Sequence, residues 1–452
     1  MQKLIISRQF MGVEPCTIEL NRFLLLIGEQ ASGKSTIAKL IFFFQTLPDA
    51  IYENSIAAYF KKEDFDFKEH INLIARKKFL ETFGPTSRNE GFEIQFNYGL
   101  KDNILTYLRI YQGKDHLTYA LFESSFGYNI GSTIKAYLNS SRFDDSNVDQ
   151  IRFRQQLHQD LDVLFYRQTN AHTYLIAGRN TIVAYPETFE KVIEQEYEKL
   201  IEDEVKEQDF EQRQRLGNER LLYQFVQWSK GVRNNFKNNG QTFKKVALSL
   251  NNKDATKRIQ DITEKILKGV YESSEWGEQI KLKDSTLRVP LKDASSGQQE
   301  VLRILQGLFL SIGLKNRKEF FVVEEPEGHL YPLAQKELMN AFAVFLNTIQ
   351  QGRIIVTTHS PYILACINIL LFATYVAKET GKANLNGASP SKSFWLDSND
   401  FNAYSLGQKE NYLIDIKDSV TGLIDQNYLD TISEQLGLQY QELYNLLIKE
   451  LQ

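Results

Sequence analysis

The sequence predicts an α/β fold whose core is interrupted by a helical insertion. Three observations support this prediction. Segments with the short apolar or alternating patterns of strands fill about the first hundred residues and return at 278–291. An apolar strand followed by a helical pattern occurs at 320–348 and again at 353–377. Between these regions, Pro186 opens a long and highly charged helical stretch.

Each element is predicted from its local pattern. In the N-terminal region, strands are predicted at "LIISRQF", "CTIEL", "FLLLIG", "FEIQFNY" and "ILTYLRIYQ". One helix is predicted from Lys34 to about Thr46, ending before Pro48, because proline lacks the N–H that a helix interior needs. The remaining predictions are a helix at about 145–165, a strand from Thr173 to Gly178, a hairpin turning at Asp284 and Ser285, a helix at 299–314, a strand from Phe320 to Val323, a helix from Pro332, a strand "RIIVTTH" and a helix after Pro361.

These elements divide the chain into four regions. We expect the first half of a nucleotide-binding head at 1–185, a helical insertion at 186–275, the second half of the head at 276–378 and a mixed, polar C-terminal tail at 379–452. The Asp-, Ser- and Asn-rich stretch at 397–402 is predicted to be a turn.

Composition sets further limits on function. The 452 residues are 42% hydrophobic and 24% charged, as in an ordinary globular protein, and the net charge of −4 argues against a protein dominated by nucleic-acid electrostatics. The two cysteines, Cys16 and Cys366, form no zinc-ribbon spacing. The N-terminus shows no secretory signal, and the longest apolar run, Ile363 to Ala377, is shorter than a bilayer requires. We therefore expect a cytoplasmic protein without membrane attachment.

A phosphate-binding loop is predicted between the third strand and the first helix. The pattern G-x-x-x-x-G-K-[ST] is matched in full by Gly28, Glu29, Gln30, Ala31, Ser32, Gly33, Lys34 and Ser35, and Thr36 follows. Glycines let backbone N–H groups close around phosphate oxygens, and the helix N-terminus adds the positive end of its dipole. Lys34 is then expected to reach the β- and γ-phosphates, and the Ser35 hydroxyl to ligate Mg²⁺.

Two later strands end in groups that suit the same chemistry. "FFVVEEPEGHL" places Glu324 and Glu325 after an apolar strand, where buried carboxylates need a cation or donors. Glu324 is expected to hold Mg²⁺ through water, and Glu325 to polarise the attacking water. "RIIVTTHSPYIL" places His359 at the end of another apolar strand, where a neutral imidazole can contact the γ-phosphate. Acids enriched before a helix at Pro332, and a histidine that serves only as a structural donor, are the simpler alternatives.

A fourth stretch, "ASSGQQE" at 294–300, stands just before an amphipathic helix. Small hydroxyls and a glycine at a helix N-terminus can bind an anion. The same residues also suit a simple serine N-cap followed by a turn glycine. The residues alone leave both interpretations open.

Together, "GEQASGKS", "ASSGQQ", "VVEEPEGHL" and "TTHSP" resemble, in order and spacing, the ABC-type ATPase heads of the SMC-like and OLD-like families. The resemblance implies an ATP- and Mg²⁺-dependent ATPase that forms nucleotide-sandwich dimers or larger assemblies. In such a dimer Ser296, Gly297 and Gln298 would cap the γ-phosphate of the partner subunit, and Glu327 to Leu330 would form the dimer-crossing loop. The glutamine loop of these families has no clear counterpart here; Gln95 is the weak candidate.

The wording "EEPEGHLYP" is similar to the "EEPE-x-HLHP" typical of prokaryotic OLD-like ATPases, many of which act in anti-phage defence, for example the ATPase subunits of Septu-type systems. The resemblance therefore implies a sensor or scaffold that acts with a separate nuclease or toxin. The metal-binding toprim domain of OLD nucleases is not recognisable after His359, so we expect ATP hydrolysis without nucleic-acid cleavage. An SMC-like DNA-repair ATPase and a nucleotide-gated scaffold with little turnover are the alternatives; a transporter subunit fits the large insertion least well.

A basic stretch from Arg220 to Lys253 contains no acidic residue and has aromatic residues interleaved. Such a stretch can contact DNA phosphates without sequence preference. It is more typical of a solvated face that balances the acidic helix before it.

Overall fold

The computed structural model of the chain describes residues 2–61, 66–84, 91–101, 104–125, 147–202, 210–237, 241–275, 277–381, 390–407, 411–425 and 437–444. The strands are β1 (Gln2–Arg8), β2 (Cys16–Leu20), β3 (Phe23–Gly28), β4 (Glu93–Lys101), β5 (Ile104–Gln112), β6 (Thr118–Ser124), β7 (Ala171–Leu175), β8 (Gly269–Ser274), β9 (Gly277–Leu282), β10 (Arg288–Pro290), β11 (Glu319–Glu324), β12 (Arg353–Thr358), β13 (Phe401–Leu406) and β14 (Leu413–Asp415). The helices are α1 (Lys34–Lys61), α2 (Phe67–Phe83), α3 (Asn147–Leu164), α4 (Asn180–Ala184), α5 (Pro186–Glu202), α6 (Phe210–Asn234), α7 (Phe243–Ala247), α8 (Lys253–Leu267), α9 (Ser296–Gly313), α10 (Pro332–Thr348) and α11 (Pro361–Thr380).

A six-stranded sheet in the order β14-β13-β3-β12-β11-β7 forms the centre of the molecule. All its strands run parallel except β14 at one edge. Successive side chains of β3 enter two different cores: Leu24 packs in the core that contains Ile41 of α1, and Leu25 in the core that contains Leu305 of α9. Because the sheet is covered on both faces, its strands are apolar throughout, and the carboxyl ends of β3, β11 and β12 meet at one edge.

Two antiparallel sheets flank this centre. The first has five strands in the order β2-β1-β4-β5-β6, and the second has three in the order β10-β9-β8. Helices α4 to α8 lie between β7 and β8 in the chain. The predicted α/β fold with a helical insertion is therefore confirmed, as is the hairpin turn at Asp284, which has a positive φ of 56°. The weak candidate Gln95 lies on β4, where its amide donates to Asn97.

Helix α1 is longer than predicted. It continues through Pro48 to Lys61, so the predicted end before Pro48 is wrong. Pro48 leaves the carbonyl oxygen of Phe44, four residues earlier, without its helical donor. The Tyr98 hydroxyl donates to that oxygen at 3.0 Å. Leu47 and Ile51 are also fully buried beside the proline, so packing offsets the lost helical bond.

Strand β13 was not predicted. Its segment "FNAYSL" lacks a clean alternation, yet all six residues are buried between β3 and β14. The side-chain amide of Asn402 donates to the Glu19 carbonyl at 2.9 Å, which allows a polar residue in this position. The turn predicted at 397–402 is confirmed for 398–400, which form a 3-10 helix, and is wrong for the last two residues, which begin the strand.

Helix α11 contains the apolar run predicted from Ile363 to Ala377. Within the described part of the chain, it is the one helix whose length and composition would allow it to cross a membrane. The core helix of a soluble protein can have the same length and composition. One side of α11 does enter the core, through Ile363, Ile367 and Leu370.

Candidate nucleotide site

The predicted phosphate-binding loop connects β3 to α1, and its shape depends on glycine at two positions. A Cβ at Gly28 would lie 2.2 Å from the carbonyl oxygen of Leu406 on the neighbouring strand β13. Gly33 has a φ of +91°, and a Cβ there would lie 2.6 Å from the Tyr412 hydroxyl oxygen. Both clashes involve groups that are fixed within the core, so any larger residue would displace the loop.

Lys34 is the first residue of α1 and is 5% exposed. Its ammonium donates to the carbonyl oxygens of Gly28 at 2.9 Å and Glu29 at 2.6 Å. Burial lowers the pKa of Lys34, whereas the nearby carboxylates of Glu325, Glu327 and Glu29 raise it and so favour the charged form. The fold therefore holds the Lys34 side chain against the carbonyl oxygens of the loop.

The other loop residues differ in exposure. Gln30 and Ala31 are exposed, Glu29 is partly buried, and Ser32 is buried. Ser35 is exposed on the first turn of α1, and Thr36 beside it is partly buried. The long helix α1 thus presents its N-terminus and a hydroxyl group at the loop, an arrangement that suits an anion with a metal ion.

Glu324 is the last residue of β11 and is 7% exposed. Its carboxylate accepts hydrogen bonds from the Tyr174 hydroxyl at 2.7 Å and from the Ala177 backbone N–H at 3.2 Å. Burial is the main cause that raises the pKa of Tyr174, so this hydroxyl remains a donor. Two contacts from β7 and the loop after it therefore hold the carboxylate in place.

Glu325 and His359 form a pair at the ends of neighbouring strands. The Nε2 atom of His359 lies 3.0 Å from Oε1 of Glu325, and both side chains are partly exposed. Glu325 has a positive φ of 42°, a conformation that costs energy for a non-glycine residue. Its N–H donates to the Thr357 carbonyl at 2.9 Å, which fixes the turn.

Glu327 binds the loop that carries His359. Its Oε1 accepts from the Thr358 hydroxyl at 2.7 Å and from the His359 N–H at 2.8 Å. The turn that follows the acid pair and the loop that follows β12 are therefore bound to each other. The sequence suggested for Glu327 only a place in a dimer-crossing loop, so this contact is new.

The stretch "ASSGQQ" begins helix α9. Ser295 is its N-cap: its Oγ accepts from the Gln298 N–H at 3.4 Å, and the Gln298 side chain accepts from the Ser295 N–H at 3.0 Å. Gln298 also donates to the Leu267 carbonyl at 2.7 Å. Gly297 is buried, and a Cβ there would lie 2.5 Å from the His329 carbonyl oxygen. Ser296 is exposed.

Three site contacts involve residues that sequence reasoning missed: Tyr174 on Glu324, Arg179 on the Glu324 backbone and Tyr412 on the phosphate-binding loop. The Tyr412 hydroxyl donates to the Ser32 carbonyl at 2.7 Å. Tyr174 and Arg179 lie in and just after the predicted strand "TYLIAG", but only the position of that strand beside β11 brings them to the acid pair. No motif in the sequence marked them.

The basic stretch is mostly used within the fold. Phe225, Phe236 and Phe243 are buried in the core. Arg233 donates to Glu190 at 2.7 Å and Lys230 to Glu194 at 3.1 Å. Four lysines of the stretch lie exposed: Lys237, Lys244, Lys245 and Lys253, of which Lys253 donates to the carbonyl oxygens of Ala247 and Leu248. These contacts support a face that balances the acidic helix α5.

The donor set suits a nucleotide with Mg²⁺. Among the described residues, no group of three or more His, Cys, Asp or Glu side chains could hold a metal ion by itself. A metal ion at this loop would therefore take ligands from phosphate oxygens, water and a hydroxyl such as that of Ser35, as Mg²⁺ commonly does. Gly28 and Gly33 lack Cβ atoms, which keeps the loop open for phosphate oxygens.

These features define a P-loop ATPase with an α/β core. A family model described as "AAA ATPase domain" matches residues 3–364, which is most of the chain. The chain therefore belongs to this family of ATPases. No curated protein matches its sequence.

Several solved structures are similar to the chain in fold. The head of an Smc protein bound to the C-winged helix domain of ScpA is 9% identical, with 92% of this chain and 97% of that chain covered and a TM-score of 0.42. The SMC head domain from Thermotoga maritima is 9% identical, with 80% of this chain and 90% of that chain covered and a TM-score of 0.33. The recombination mediator protein RecF is 9% identical over 94% and 96%, with a TM-score of 0.30.

Proposed function

We propose that two copies of this ATPase enclose ATP between them, and that each nucleotide site combines two surfaces. One is the own-chain half, made of Lys34, Ser35, Glu324, Glu325 and His359. The other is the partner-facing half, made of Ser296, Gly297 and Gln298 of the second copy. The observation that carries the proposal is the position of Ser296. It is exposed, yet the glycine beside it packs on the turn that follows the acid pair.

Each residue of the own-chain half has a role that its geometry allows. Lys34 and the N–H groups of the loop bind phosphate oxygens, and Ser35 offers a metal ligand. Glu324, held by Tyr174, supports the metal through water. Glu325 takes the proton of the attacking water, and His359 at 3.0 Å orients that carboxylate and contacts the γ-phosphate. Mg²⁺, when bound, supplies neutralisation of phosphate charge.

In the partner-facing half, the Gln298 side chain stabilises the start of α9. The Gln298 side chain is engaged in the capping box and with Leu267, and its N–H donates to Ser295 Oγ, so the groups left for the partner's phosphate are the Ser296 hydroxyl and the N–H groups of Ser296 and Gly297. These N–H groups have no helical acceptor and favour an anion.

Mixing two inactive subunits tests the proposal. A Lys34→Ala subunit lacks a working own-chain half, and a Ser296→Arg subunit lacks a working partner-facing half. Each alone should be inactive, and the mixture should regain part of the wild-type ATPase rate. A mixture that stays inactive while both variants remain folded, or a verified monomer with full turnover, would contradict the proposal.

We also propose that the ATPase acts as a sensor or scaffold in prokaryotic antiviral defence, in the cytoplasm, together with a separate effector. The similarity of "EEPEGHLYP" to subunits of such systems supports the role. An exposed apolar stripe on α11 (Tyr362, Ile369 and Phe372) supports a protein partner, since such patches commonly mark interaction surfaces.

The partner can be sought in the product of a neighbouring gene. The protein should co-purify with it, and Phe372→Lys should weaken this association, whereas Leu248→Lys, at an exposed position on another face, should not. The pure ATPase should cut neither DNA nor RNA with Mg²⁺ or Mn²⁺. Cleavage that survives Glu325→Gln and further purification would reveal a second active site.

Exposed lysines favour a second candidate, an SMC-like ATPase that contacts DNA. Lys237, Lys244 and Lys245 are the groups available to phosphates. Replacing all three with glutamate should weaken binding to duplex DNA and flatten its salt dependence. Unchanged affinity would leave the stretch as a solvated face.

A further inference from the structure

A fully buried arginine, Arg179, lies where three segments of the site meet. Its Nη1 donates to the carbonyl oxygens of Ile176 at 2.7 Å and Glu324 at 2.9 Å. Its Nε donates to the carbonyl oxygen of Glu300 at 3.1 Å. One guanidinium therefore connects the end of β11, which carries the acid pair, to the first turns of α9, which carry Ser296.

Glu300 extends this connection. Its Oε2 accepts from the Asn180 N–H at 2.8 Å, and its Oε1 lies 3.5 Å from Nη2 of Arg179. A Cβ at Gly328 would lie 3.4 Å from the same Oε1, so the carboxylate rests against the turn that follows the acid pair. The start of α9 is thus in contact with both the end of β11 and that turn.

A second buried pair on α9, Arg303 with Glu278, provides a matched comparison. Nη1 of Arg303 donates to Oε1 of Glu278 at 2.7 Å, and Nη2 of Arg303 donates to Oε2 of Glu278. Its Nε donates to Ser229 of the helical insertion at 3.1 Å. Arg303 and Glu278 thus form a bidentate ion pair that does not contact Glu324 or Glu325.

The Arg179 pair is built differently. Among the described residues, Nη2 of Arg179 has no hydrogen-bond partner, and its contact with Glu300 is a longer ion pair. The shorter bonds of this arginine go to backbone oxygens of two separate elements. A contact of this kind can carry a shift of one backbone segment to the other.

The geometry points to Arg179 as a positioning residue that couples the two halves of the site within one chain. A shift of β11 and its following turn on nucleotide binding moves the first turn of α9, and with it the Ser296 surface offered to the partner subunit. Arg179 acts through the Glu324 backbone and through Glu300. The inference rests on the proposed function, in which Ser296 works in the partner's site.

Mixed subunits can isolate this effect. Arg179→Lys keeps a positive charge beside Glu300, but one ammonium cannot reproduce the fork that spans three carbonyl oxygens. This substitution is placed in the Lys34→Ala subunit, which contributes only its Ser296 surface, and is mixed with the Ser296→Arg subunit. We expect about a tenfold loss of the regained turnover.

Arg303→Lys in the same Lys34→Ala subunit is the control, because it weakens an equally buried pair of the same helix. It should leave the regained turnover within about twofold, and thermal unfolding should show that both subunits are folded. If Arg179→Lys does not fold, Glu300→Gln replaces it. Equal turnover with the two arginine substitutions would overturn the coupling.

Amide hydrogen exchange gives a readout that needs no complementation. In Glu325→Gln, ATP should slow exchange at residues 294–300; adding Arg179→Lys should remove that response while ATP affinity stays within about twofold. If the plain Lys34→Ala and Ser296→Arg mixture is inactive, the two-copy proposal fails and the exchange data still decide on Arg179. An exchange response that is absent in Glu325→Gln itself, or unaltered by Arg179→Lys, would contradict the inference.

Discussion

Two residues of the proposed own-chain half, Lys34 and Glu324, differ from Ser296 of the proposed partner-facing half in how the fold holds them. Lys34 and Glu324 are 5% and 7% exposed and are bound by the backbone or by Tyr174, whereas Ser296 stands at the surface of the helix that Ser295 caps. Groups that act on phosphate and metal must be held before the reaction, because reorganising them during it would cost rate. A group intended for another chain must instead stay accessible. The difference explains why one half is identifiable within a single chain and the other is not.

The largest expected effects separate two roles inside the own-chain half. Lys34→Ala should abolish ATP binding, because it removes the cation at the loop. Glu325→Gln should still bind ATP but hydrolyse it about 10²- to 10⁴-fold more slowly, since it would remove the proposed general base. Equilibrium binding and steady-state turnover measure the two quantities. Wild-type turnover by purified Glu325→Gln would refute the assignment of the base.

A large substitution in the partner-facing half should have the opposite signature. Ser296→Arg should lower turnover by at least about a hundredfold, the scale of losing one preorganised donor, while ATP affinity of the isolated chain stays unchanged. Ser285→Arg, at an exposed serine of the β9–β10 hairpin, is the control and should keep full turnover. A loss of ATP affinity in Ser296→Arg would place Ser296 in the own-chain half.

The sequence predicted much of the own-chain half because its parts are local motifs on predictable strands. "GEQASGKS" lies between a strand and a helix, and the acid pair and His359 each follow an apolar strand. Parallel strands bring their carboxyl ends together, so three separate motifs could be expected at one edge. The roles of these residues stay predictions.

The contacts that support the site could not be predicted in this way. Tyr412 reaches Ser32 from 380 residues away, and Arg179 reaches Glu324 across 145. Neither residue belongs to a sequence pattern. The pairing of β13 with β3 brings Tyr412 to the loop, and the pairing of β7 with β11 brings Arg179 to Glu324. The end of α1 was missed for the same reason, since the donor that replaces the lost helical bond at Pro48 is the distant Tyr98.

A smaller effect is expected for Tyr412→Phe, which should change how the phosphate-binding loop binds ATP and leave the rate of hydrolysis nearly unchanged. Tyr412→Phe removes one hydrogen bond to the Ser32 carbonyl, worth about 1 kcal/mol, so KM for ATP should rise about fivefold with kcat nearly unchanged. Tyr404→Phe is the control: its hydroxyl accepts from the Glu19 N–H and leaves the loop untouched. Equal KM values for the two variants would show that the Tyr412 bond does not position the loop.

The smallest effect distinguishes two adjacent serines. Ser295 caps α9 through its side chain, so Ser295→Ala should lower the free energy of unfolding by about 1 kcal/mol and leave kcat within about twofold. Ser296 is exposed, so Ser296→Ala should leave stability unchanged. Under the two-copy proposal it should lower kcat, because the hydroxyl would contact the partner's nucleotide. Urea unfolding and ATPase assays on both variants give the two quantities. If Ser295→Ala lost turnover and Ser296→Ala did not, the partner-facing group would be Ser295, and the N-cap would serve the nucleotide as well as the helix.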